Sequence, residues 1–66
     1  MAVAKVIELT AESAESFEDA VRLGIAKASE TLHGVKGAWV QEQQVVVEGE
    51  QITGYRVNLK VTFVLD

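Results

Sequence analysis

The residues of this chain that could carry chemistry are few, and they favour recognition over catalysis. Cysteine is absent and histidine occurs once, at His33. Disulfides, thiolate nucleophiles and a His-rich zinc site within one chain are therefore excluded. His33 has no serine or cysteine in a nucleophile motif to work with, so the chain reads as a non-enzyme. No glycine cluster follows a strand and opens a helix to cradle a phosphate. What remains is surface that can hold something. Trp39, the single tryptophan, offers a flat face for stacking on a ring or for packing between subunits. Arg56 carries a planar fork suited to an anionic or carbonyl-bearing group, or to a carboxylate such as Glu42 of a neighbouring strand or subunit. Glu15, Glu18 and Asp19 crowd one stretch, and Glu48 and Glu50 another. Such carboxylates hold calcium or magnesium if a symmetry axis gathers copies, and are otherwise a solvated face. No EF-hand spacing is present.

These side chains need a scaffold, and 66 residues allow one small domain, spanning residues 1–66. A chain of this size buries only about 60% of its unfolded surface. Without disulfides or a structural metal, self-association is the expected support. Six basic residues against ten acidic ones give a formal net charge of −4. The basic residues are scattered along the chain, which argues against nucleic acid as a partner. No apolar run approaches the ~18 residues of a membrane span. Lys5 and Glu8 interrupt the opening apolar stretch, so it does not read as a signal-peptide core. The expectation is a cytoplasmic protein with no membrane partner.

Periodicity gives the elements. Residues 3–10 are rich in β-branched types and predict a first strand. Residues 14–33 predict a helix: Phe17, Ala20, Val21, Gly24, Ile25, Ala28 and Leu32 recur at spacings of three and four, forming one apolar stripe. Ser13 is the expected N-cap, His33 falls in the last turn, and Gly34 supplies the left-handed residue that ends the helix. Gly24, costly inside a helix, is expected to permit close approach of the sheet. Residues 36–48 predict a middle strand and Glu48–Gln51 a hairpin turn. From Tyr55 to Asp66 the odd positions are apolar and the even ones mostly polar, as a half-buried strand requires. The fold class is α+β: β-α-β-β, a three-stranded antiparallel sheet wrapped on one amphipathic helix.

With this order of elements, the chain resembles the dodecin family. Lys5-Val6-Ile7-Glu8-Leu9 is similar to its opening strand, and the stretch Glu12 to Ala20 to its helix start. Ala26 to Leu32 is similar to its helix end, and Tyr55 to Leu65 to its final strand. The resemblance implies a hollow homododecameric shell that stores a flavin-type ligand, such as riboflavin, FMN or lumichrome. In that family, tryptophans stack on the flavin and a glutamine in the final strand meets its pyrimidine edge. At the stacking position this sequence has Gly37, and Trp39 stands two residues on, where the family has an acidic residue. At the glutamine position it has Arg56. The resemblance thus implies a divergent shell with an altered site framed by Gly37, Trp39, Glu42 and Arg56, binding a flat ligand weakly. The alternative is a flavin-independent shell that is structural or binds a divalent cation such as calcium.

Overall fold

The computed structural model describes residues 3–65. The order is β1 (Val3–Ser13), α1 (Phe17–Thr31), β2 (Val35–Glu48) and β3 (Gln51–Leu65). The three strands form one antiparallel sheet in the order β1-β3-β2. The α+β, β-α-β-β architecture expected from periodicity is the one observed. β1 runs three residues further than residues 3–10, and β3 begins at Gln51, ahead of Tyr55. Asp66 lies outside the described residues.

β3 is central because its alternation provides the core. Val57, Leu59 and Val61 are fully buried and Phe63 nearly so. Ala20 and Ala28 of α1 join them, ringed by Ile7, Leu9 and Ala11 of β1, by Phe17, Val21 and Ile25 of α1, and by Leu32 at its C-cap. The helical stripe read from the sequence is the one that faces the sheet. Gly24 faces the sheet where there is no room for a side chain. A Cβ there would lie 2.8 Å from Leu59 Cδ1 and 3.2 Å from both Ala11 Cβ and Leu9 Cδ1.

The helix ends differ from expectation. The N-cap is Ser16, not Ser13: its Oγ accepts from the Asp19 backbone N–H at 2.9 Å. Ser13 instead ends β1, buried, where it donates to Asp19 Oδ2 at 2.6 Å and accepts from the Glu15 N–H at 2.9 Å. The Ser13-Ala14-Glu15-Ser16 stretch offers two capping hydroxyls, and the inner one takes the helix because the outer one is engaged in the strand-to-helix turn. At the other end Leu32 is the cap, donating to the Ala28 carbonyl at 3.0 Å. His33 therefore lies beyond the helix, not in its last turn. Gly34 does take the left-handed region, φ +76°, and its carbonyl accepts from the Val64 N–H at 2.9 Å.

The β2–β3 turn is two residues, Gly49 and Glu50, with φ of 57° and 68°. Positive φ at both positions is what matches a tight hairpin to the twist of its strands. The hairpin helps make the molecule 51 Å long. A 15-residue helix spans only about 22 Å, so much of the sheet extends beyond it.

Candidate functional site

Register assigns each candidate side chain to a face. Because Leu59 is buried against α1, its β2 partner Val40 lies on the helix side. The next pair, Trp39 opposite Lys60, points away from the helix, as do Gly37 opposite Thr62, Glu42 opposite Asn58, and Gln44 opposite Arg56. A bulge at Gln41, between Val40 and Glu42, keeps Glu42 on this face despite its even number. From β1, Glu8 and Glu12 pair opposite Lys60 and Arg56 on the same face. The four residues singled out from the sequence thus share one surface.

They do not form one cluster within a chain. Trp39 pairs with Lys60, four residues along β3 from Arg56, a separation of about 13 Å. Arg56 also does not pair with Glu42. Its Nε and Nη2 donate to Glu12 Oε1 at 2.9 and 2.8 Å. Register explains this: Glu12 is the direct neighbour of Arg56 across β1–β3, whereas Glu42 faces Asn58. Asn58 donates to Glu8 Oε2 at 2.8 Å.

Trp39 is half-exposed, at 50%. The Lys60 ammonium lies 5.8 Å from its ring centroid, within cation–π range. Two residues away, a side chain built on Gly37 would meet nothing within 4 Å. An indole with an open neighbour on a strand face fits a flat aromatic ring, which needs a stacking partner and clearance alongside it. On the helix side, an open hollow of about 370 Å³ runs between α1 and β2, floored by Leu59, walled by Val21, Ile25 and Val40, and bordered by Gly37 and Trp39.

Lys60, Glu8 and Glu12 were missed in the sequence reading. The alternation of β3 already places Lys60 on the polar face with Arg56, but naming their partners requires the β1–β3 and β2–β3 registers. Among the described residues, no three His, Asp or Glu side chains gather to hold a metal within one chain.

A helix backed by a three-stranded antiparallel sheet, with a half-exposed indole on the sheet's outer face, defines a small β-α-β-β scaffold. Residues 3–66 match the family model Dodecin, and the chain belongs to the dodecin family. Among solved structures, dodecin from Streptomyces davaonensis is 34% identical, with 98% of this chain and 96% of that one covered and a TM-score of 0.93. A dodecin point mutant from T. thermophilus is 30% identical, with coverages of 100% and 98% and a TM-score of 0.94. The structure described as a calcium-chelating calcium dodecin from Mycobacterium tuberculosis is 30% identical, with coverages of 97% and 91% and a TM-score of 0.85. No curated protein matches. Among the described residues no helix is long and apolar enough to cross a membrane.

Proposed function

We propose that this dodecin is a non-enzymatic, cytoplasmic storage protein that assembles into a closed homododecameric shell and binds a flat, flavin-type ligand weakly on the outer sheet face. The observation that carries this reading is the half-exposed Trp39 beside the open flank of Gly37. Trp39 supplies the stacking surface, Gly37 supplies clearance, and Glu42 and Arg56 frame the same face further along the strands. Binding is weak because Gly37 presents no ring of its own, and an aromatic pair contributes about 0.5–1.5 kcal/mol beyond burial. Arg56 is already engaged by Glu12, so its fork offers a ligand little. Self-association is supported by Val40 and Val45, which lie on the helix side of β2 and stay exposed in a single chain.

Riboflavin titrated into the purified protein, followed by flavin fluorescence, tests the ligand. Weak, saturable quenching that disappears in Trp39→Ala supports the reading, and no quenching at high protein concentration rejects it. Sedimentation tests the shell, which a stable species of 7.2 kDa would rule out.

The match to a calcium dodecin favours a second reading, a shell that holds calcium. Carboxylates from more than one copy would then have to supply the ligands. Calorimetric titration of calcium into flavin-free protein separates the two readings.

A further inference from the structure

We propose, building on the flat-ligand reading, that Lys60 is a specificity-determining residue that makes the Trp39 face select anionic aromatic ligands over neutral ones of the same shape. Any ring laid on Trp39 comes up against the ammonium that stands 5.8 Å from the indole centroid. That charge is uncommitted: the salt bridges among the described residues are Arg22–Glu18, Lys27–Glu30 and Arg56–Glu12. Glu8 is the register partner of Lys60 across β1, yet its carboxylate accepts from Asn58 instead. Glu42, the nearest acidic residue along β2 on this face, is set opposite Asn58.

Arg56 and Lys60 are thus the two cations of β3 on this face, and they differ in availability. Arg56 spends two donors on Glu12. Lys60 keeps all three ammonium protons for solvent or a ligand, on a stem flexible enough to swing from the indole to a substituent at the ring's edge. A phosphate or carboxylate there gains a charge-assisted hydrogen bond, while a neutral analogue must displace the ammonium from the indole without return. A glycine at position 37 leaves room for such a substituent beside the indole.

Riboflavin and its 5′-phosphate, FMN, present one ring system with and without an anion, and fluorescence quenching reads both. In low salt FMN should bind about tenfold more tightly than riboflavin, the scale of one charge-assisted hydrogen bond. The ratio should shrink with added salt, fall to near one in Lys60→Gln, and survive in Lys60→Arg. It should also survive in Lys27→Gln, which removes an equal charge from the exposed helix surface. Equal affinities in the unaltered protein, or a ratio that persists in Lys60→Gln, overturn the assignment of Lys60 and leave the flat-ligand reading intact. Quenching by neither flavin overturns both. Circular dichroism and sedimentation of each variant confirm that fold and assembly are kept.

Discussion

β1 and β2 flank the same central strand and are met by the helix very differently. β1 turns Ile7, Leu9 and Ala11 into the core beneath α1. β2 contributes Val35 to that packing, while Val40 and Val45, on the same side, stay 44% and 40% exposed. β1 is thus an edge strand whose inner face the helix partly covers from Ile7 to Ala11, with Val3 left exposed. β2 is an edge strand whose inner face the helix leaves more open beyond Val35. Two edge strands of similar apolar content can thus differ in how much of their inner face one helix covers.

The largest test of this contrast is Leu59→Ala. Leu59 is fully buried against Gly24 of α1, so its truncation should cost about 2–5 kcal/mol in chemical unfolding. Phe17→Ala comes next, at about 3 kcal/mol, because the ring is partly buried and meets Tyr55 edge-on at 5.1 Å. On the β2 side, Val40→Thr keeps the shape and adds a hydroxyl. If copies cover this strip, it should lower thermal stability by about 1 kcal/mol and weaken sedimentation of the assembly together. A change within about 0.5 kcal/mol and unaltered sedimentation would show that strip to be exposed in the assembly too. The smallest effect belongs to Glu18→Ala. Glu18 sits in the same helical turn as Phe17 but points to solvent, paired with Arg22, and its loss should cost about 0.3–0.5 kcal/mol. Equal effects at positions 17 and 18 would mean the helix faces are misassigned.

Much of this contrast could be read from the residues. Spacing alone marked the helical stripe, because a helix of this length must bury one face. The alternation from Tyr55 marked the strand that proves central. The need for close packing at Gly24 was readable for the same reason: a costly residue inside a helix has to be repaid by proximity. What could not be read was pairing. Alternation says which face a residue occupies, not which residue stands opposite. Arg56 is expected from the sequence to meet a carboxylate such as Glu42 of a neighbouring strand or subunit; it does meet a carboxylate of a neighbouring strand, but register makes it Glu12. The same limit hid Lys60, an ordinary polar-face lysine until register sets it over Trp39. The choice of Ser16 over Ser13 escaped because two hydroxyls three residues apart satisfy the same capping rule, and only the strand-to-helix turn decides between them.

Placing the last strand at the centre of the sheet also constrains how the chain reaches this state. Both other strands pair with β3 alone, and β1 does so across the whole sequence, Val3 meeting Leu65. No ladder can therefore close until β3 is available. The 15-residue helix is at the length, about 12–15 residues, below which isolated helices are marginal in water. As the chain leaves the ribosome it has no sheet to dock on, so productive folding begins after β3 emerges. The β2–β3 hairpin, closed by a two-residue turn, is the more local of the two pairings and should form first. β1 and the helix then add across the long loop closure that slows folding.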